Sequence, residues 1–203
     1  MVLINALYFK GTWKTEFDVR NTTKKTFYNL GKTAKKVDTM ALKEKFNYYY
    51  DRQVQVIELP YTKDSMSAVI ILPYEGKDIN EYIRDLNDEK IHSYLKRMTE
   101  EVVTLELPKF TLEFSAELND VLQKMGMVLA FKGNADFTNL LDGSIHIDKV
   151  VQKTFLSVDE HGTEASAATA VTIRNGINYS MAINRPFIFM LRNKNLPETY
   201  EMM

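Results

Sequence analysis

The segment from Asp159 to Arg174 limits what this chain can fold into more than any other stretch. It follows His146 to Val158, which reads as a long buried strand, and it contains no proline. Its small residues bury too little to fix it as an ordered loop, yet its Thr, Val and Ile favour extended backbone. The period of two that a strand imposes puts Thr163, Ala165, Ala167, Thr169, Val171 and Ile173 on one face, all small or apolar. Glu164, Ser166, Ala168, Ala170, Thr172 and Arg174 take the other face, so both charges fall on one side. Such a segment is able to stay exposed, or to enter a sheet as an added strand with its uncharged face on the core. It reads as a switch.

The remainder has the composition of a globular fold. The chain has 203 residues, 45% of them hydrophobic, with 26 basic and 27 acidic side chains. That is enough apolar material for a core, and the balanced charge offers no field to draw a polyanion, so no nucleic-acid partner is expected. With no cysteine, a disulfide framework, a zinc–thiolate site and a thiol nucleophile are excluded. No run approaches the ~18 apolar residues of a membrane span, and Met1 to Trp13 lacks the basic start of a signal peptide. There is no nucleophile elbow, phosphate-binding glycine loop, HExxH or paired-carboxylate pattern, so an enzyme is disfavoured. His92, His146 and His161 lack ligand spacing, and neither metal nor cofactor is expected.

Local patterns place the elements. Val2 to Phe9 is nearly all apolar or aromatic and reads as a strand buried on both faces. Lys24 to Lys45 scatters seven lysines among Thr, Asn and Gly, a composition of exposed strands and turns with a glycosaminoglycan patch as the alternative. Val54–Leu59 and Ser67–Leu72 read as an antiparallel pair. Asp78 and Asp88 are each expected to cap a short helix, and a third helix is expected over Ala116–Met125 with Leu118, Val121, Leu122 and Met125 on its buried face. Val103, Leu105 and Leu107 alternate with Val102, Thr104 and Glu106 in a half-buried strand that ends at Pro108.

Several strings then resemble one family in its order. Asn5-Ala6-Leu7-Tyr8-Phe9-Lys10-Gly11-Thr12-Trp13 is similar to the third strand of the main sheet of the serpins and the tryptophan after it. Leu59-Pro60-Tyr61, Leu72-Pro73, Leu107-Pro108-Lys109-Phe110, Met125-Gly126-Met127 with Ala130-Phe131, Ala135-Asp136-Phe137 and Asn184-Arg185-Pro186-Phe187 follow in family order. The resemblance implies an α+β serpin fold with a mixed central sheet A, sheets B and C, short helices and a mobile reactive-centre loop. It also implies that residues 1–203 form a single partial domain, the carboxy-terminal half, with apolar faces left uncovered.

The family's habit further implies a protease inhibitor acting as a suicide substrate. Its partner would be a serine protease, with a cysteine protease as the alternative, and its location extracellular, with a cytoplasmic minority. Glu160, Gly162, Thr163, Glu164, Ala165, Ser166, Ala167 and Ala168 match the hinge of the reactive-centre loop. Glu160 and Lys109 match an ion pair where insertion begins, which as an exposed pair would contribute only ~0.2–1 kcal/mol. Asn5 and Trp13 match positions under and at the top of the opening sheet, and Gln152 stands where the family usually has the histidine partner of Asn5. Family register puts the cut bond at Gly176-Ile177. Chemistry favours Arg174-Asn175, because Arg174 is the side chain that would fill a trypsin-like pocket. A non-inhibitory binding or chaperone role, or an inactive truncated chain, are the alternatives.

Overall fold

The computed structural model describes residues 1–9, 11–30, 33–63, 65–140, 143, 145–161, 178–195 and 201–202. They fall into two compact units, residues 1–10 with 111–157, and residues 11–110 with 158–203.

The first unit is built on a three-stranded sheet in the order β1-β8-β7, from β1 (Val2–Phe9), β7 (Phe110–Glu117) and β8 (Lys149–Val158). β1 and β8 run parallel and pair rung for rung from Val2↔Lys149 to Phe9↔Leu156. Tyr8 stacks on Phe155 across this ladder at 5.6 Å. β1 is a strand as its composition demands, but it is not buried on both faces: Val2, Ile4 and Tyr8 are each more than half exposed. Apolar β-branched runs make strands whether or not a second layer covers them, and here β8 borders one edge of β1 and no other described strand pairs with it.

The third helix is shorter than expected. α3 spans Asn119–Lys124, because Ala116 and Glu117 belong to β7, and its expected apolar face is open, with Val121 53% and Met125 79% exposed. Gly126 ends it with φ +101°, a conformation that costs glycine little.

The second unit carries a larger sheet. β2 (Thr23–Asn29), β3 (Thr33–Tyr50), β4 (Val54–Pro60), β5 (Met66–Pro73), β6 (Thr99–Pro108), β9 (Asn178–Ala182), β10 (Ile188–Asn193) and β11 (Glu201–Met202) form it. The path is β11-β10-β5-β4-β3-β6-β9, with β2 beside β3. β3 joins the pieces, since it pairs with β2 through its first residues, with β6 from Thr39 to Tyr48, and with β4 at its end. β4 and β5 are the expected antiparallel pair, Val54↔Pro73 to Pro60↔Ser67.

Burial follows the alternation: Val103, Leu105 and Leu107 are fully buried, while Val102, Thr104 and Glu106 are half-buried. Residues of β4, β5 and β10 pack with Tyr82, Ile91 and Tyr94 of α1 (Ile79–Arg84) and α2 (Asp88–Arg97) to form a core. Asp78 caps α1 by accepting from the Asn80 N–H. The cap of α2 is Asn87, whose side chain accepts from the Lys90 N–H at 2.9 Å, rather than Asp88. Asn and Asp cap about equally well, and Asp88 inside the first turn gains from the helix dipole instead.

Candidate functional site

Within the second unit, several contacts meet at residues 159–161. The stretch Gly11–Asp18 follows β1 and is held by its aromatic residues. Trp13, 2% exposed, stacks on Tyr61 at 4.5 Å and meets the edge of Phe17 at 6.5 Å. From that anchor it reaches three successive carbonyls beyond β8. The Trp13 indole N–H donates to Asp159 O at 3.0 Å, the Phe17 N–H to Glu160 O at 2.9 Å, and the Trp13 N–H to His161 O at 3.2 Å.

Side chains complete the clamp. Glu160, 3% exposed, accepts from Lys109 Nζ at 2.6 Å and from the Thr22 hydroxyl at 2.7 Å. Asp159 accepts the His161 N–H at 3.0 Å, and His161 Nδ1 lies 3.0 Å from the carboxylate of Glu16, whose side chain is 8% exposed. Burial alone would raise the Glu160 carboxyl, but the hydrogen bonds from Lys109 and Thr22 outweigh it and hold the group below its ordinary 4.5. The donors named here go to backbone carbonyls and carboxylates, so this arrangement holds a segment in place.

The structure brings Lys109 and Glu160 together, but not as the exposed pair that family position suggests. Glu160 is buried, and only the Lys109 side chain, 38% exposed, touches solvent appreciably. Loss of the lysine would therefore strand a buried carboxylate, which costs more than loss of a surface pair. Thr22 and Glu16 are partners that the sequence does not disclose. Thr22 lies 138 residues from Glu160 and Glu16 lies 145 from His161, and neither belongs to a spaced pattern. The one available hint was a lone carboxylate between two aromatic residues, Trp13 and Phe17.

In the first unit, Asn5 donates from Nδ2 to Gln152 Oε1 at 2.7 Å, and the two are register partners in the β1–β8 ladder. Glutamine keeps the bond but carries no titratable group.

Gly162, Thr163, Glu164, Ala165, Ser166, Ala167, Ala168, Arg174, Asn175, Gly176 and Ile177 lie outside the described residues. The described chain resumes at Asn178, where β9 lies parallel to β6 beginning at Val102. Of the seven lysines between Lys24 and Lys45, Lys24 pairs with Asp38, Lys25 with Glu106 and Lys45 with Glu100. That internal pairing reduces the charge available to a sulfated chain. Among the described residues no group of three or more His, Asp or Glu is placed to hold a metal ion.

Comparison with known proteins places this geometry in a family. The family model described as Serpin (serine protease inhibitor) matches residues 1–198. Iripin-3 of Ixodes ricinus is 39% identical over 199 residues, 95% of this chain and 51% of the relative. Intracellular coagulation inhibitor 2 of Tachypleus tridentatus is 35% identical over 201 residues, covering 96% and 49%. The chain thus spans about half the length of the curated relatives it matches. Among solved structures, the thermophilic serpin tengpin in its native state superposes with a TM-score of 0.80 at 34% identity, over 100% of this chain and 55% of that one.

Proposed function

The chain belongs to the serpin family, and on that premise we propose that the whole protein traps a protease by offering residues 162–177 as bait and drawing the cut segment into the sheet between β1 and β8. The observation that carries this reading is the direct parallel pairing of β1 with β8 over eight rungs within the first unit.

A segment that leaves β8 and turns back runs antiparallel to it. Between β1 and β8 it would exchange one parallel ladder for two antiparallel ones, which are the slightly stronger kind per residue. Length permits this: residues 163–173, extended at ~3.4 Å each, reach about 37 Å, against about 26 Å for β1. Chemistry permits it too. Thr163, Ala165, Ala167, Thr169, Val171 and Ile173 would face the core without burying a charge, which would cost several kcal/mol.

The target suited to Arg174 is a trypsin-like serine protease. Its serine oxygen attacks the Arg174 carbonyl carbon, the bond to Asn175 breaks, the proton leaves on the Asn175 amine, and an acyl ester remains. Insertion then has to outrun hydrolysis of that ester. The names of relatives such as the coagulation inhibitor support an inhibitory role.

The test is to incubate the whole protein with trypsin. The expected results are an SDS-stable complex, a released peptide beginning at Asn175, and a large rise in thermal stability of the nicked protein. Simple cleavage without complex or stabilisation would instead indicate a binding protein. Cutting after Gly176 alone would move the bait bond.

A further inference from the structure

Apart from the contacts around Glu160, the second unit holds a cavity of about 550 Å³, lined by the end of β2, the turn after β5 with the start of α1, and the chain that enters β10. Its sides are tied by hydrogen bonds. The Tyr28 N–H donates to Asn184 O at 2.8 Å, the Lys77 N–H closes the turn onto Tyr74 O at 3.2 Å, and Asp78 accepts the Asn80 N–H at 2.7 Å. Tyr28, Leu30, Pro73, Ile79 and Pro186 give the cavity an apolar lining, and its volume lies in the range of small-molecule sites.

Arg185 sets the chemistry of this space. Its half-buried side chain donates from Nε to Pro73 O at 2.8 Å and from Nη1 to Asn184 Oδ1 at 3.0 Å. Those two bonds fix the plane of the guanidinium, and among the described residues Nη2 has no acceptor and no carboxylate forms an ion pair with the group. Burial therefore outweighs the pull of Glu75 and Tyr74 and holds the guanidinium below its ordinary value. Among the described residues no side-chain nitrogen or oxygen is both buried and unpaired, so the uncommitted donors of Arg185 face accessible space, and the space it lines is this cavity.

We infer that the cavity binds a small organic monocarboxylate with an apolar body, its carboxylate on the open edge of Arg185 and its hydrocarbon against Tyr28, Leu30 and Pro186. Arginine's planar fork matches the two oxygens of a carboxylate, and a charge-assisted bond of that kind is roughly twice as strong as a neutral one. Charge limits the ligand to one carboxylate. The lining carries Lys77 and Arg185 against Glu75 and Asp78, so a second anionic group would meet two carboxylates with only the exposed Lys77 ammonium to offset them. None of the lining residues belongs to the 159–177 stretch, so the inference stands apart from protease trapping.

Calorimetric titration of the full chain with 4-phenylbutyrate near neutral pH tests it. One saturable site is expected, with a dissociation constant of roughly 0.1–1 mM, as fits a ligand of this size. The uncharged 4-phenylbutanamide, of the same shape, should bind about 10- to 100-fold more weakly, the factor that a hydrogen bond to a charged group supplies. The dicarboxylate 2-benzylsuccinate should bind no better than the monocarboxylate. Arg185→Gln should erase the difference between acid and amide, and Asn80→Trp, at an exposed position on the rim, should block the acid.

Three results with the wild type alone would overturn the inference: no saturable binding of 4-phenylbutyrate, amide binding as tight as the acid, or tighter binding of 2-benzylsuccinate. It therefore remains testable if Arg185→Gln fails to fold. Acid binding that persists unchanged in Asn80→Trp would place the ligand elsewhere and overturn it too.

Discussion

Replacing Lys109 with methionine keeps the long stem and removes the ammonium. In the native chain Glu160 is 3% exposed and also bonds the Thr22 hydroxyl at 2.7 Å, a partner the substitution leaves in place. A hydrogen bond to a charged group contributes about 1.5–3 kcal/mol, and stranding a fully buried ion costs about 3–5 kcal/mol. The Lys109 side chain is 38% exposed, so water enters where the ammonium was and the lower range applies, about 2 kcal/mol. For a chain of this size that lowers the melting temperature by about 4–8 °C.

The assay is thermal unfolding of wild type and Lys109→Met from pH 7.5 down to pH 3.5. In the wild type the Glu160 carboxyl is held below 4.5, so the contribution of the pair is full above that pH and drains away as acid protonates the carboxylate. In the variant burial prevails and the carboxyl takes its proton at higher pH, which relieves the stranded charge. The gap should therefore be largest at pH 7.5 and close below about pH 4.5. Equal melting at pH 7.5, or a gap that persists unchanged into acid, would refute this account of what holds residue 160.

Three further outcomes follow from the same geometry. Glu58, 3% exposed, accepts from Asn47 at 2.9 Å, Ser67 at 2.7 Å and Arg192 at 3.0 Å. Burial pushes its carboxyl up, but these bonds with Lys194 and Arg192 hold it below its ordinary 4.5. Glu58→Ala should thus cost about 3 kcal/mol in denaturant unfolding at pH 7 and much less below pH 4. Gln152→Ala removes an exposed bond to Asn5 and should cost under about 1 kcal/mol, yet it should change the rate of segment insertion. An unchanged rate ends any gating role for Gln152. Thr163→Arg would force a charge toward the core, so the whole protein should be cut by trypsin without forming a stable complex; undiminished trapping would mean that Thr163 does not enter the sheet.

The sequence is most legible where one pattern has one physical meaning. Val54–Leu59 and Ser67–Leu72 are β-rich runs on either side of a turn, and they pair as expected. The alternation around Val103, Leu105 and Leu107 gives both strand and buried face. Legibility falls where burial depends on what covers an element. Val2, Ile4, Val121 and Met125 carry apolar patterns and stand exposed, because periodicity states which face seeks cover and not whether cover is present.

The lysine-rich reading of Lys24–Lys45 misses that β3 runs unbroken for 18 residues through three partners, since cross-strand pairing and not local composition makes that strand. At the candidate site the motif positions Trp13, Lys109 and Glu160 were legible by resemblance. Thr22 and Glu16 were not, because contacts across 138 and 145 residues leave no local spacing.

The most direct measurement is deuterium exchange across residues 163–173 of the whole protein before and after a single cut in the 174–177 stretch. The account predicts fast exchange in the intact protein and strong protection after the cut, accompanied by altered exchange in β1 and β8 as their shared ladder is replaced. A cut protein in which residues 163–173 exchange as fast as before, with β1 and β8 unchanged, would contradict it.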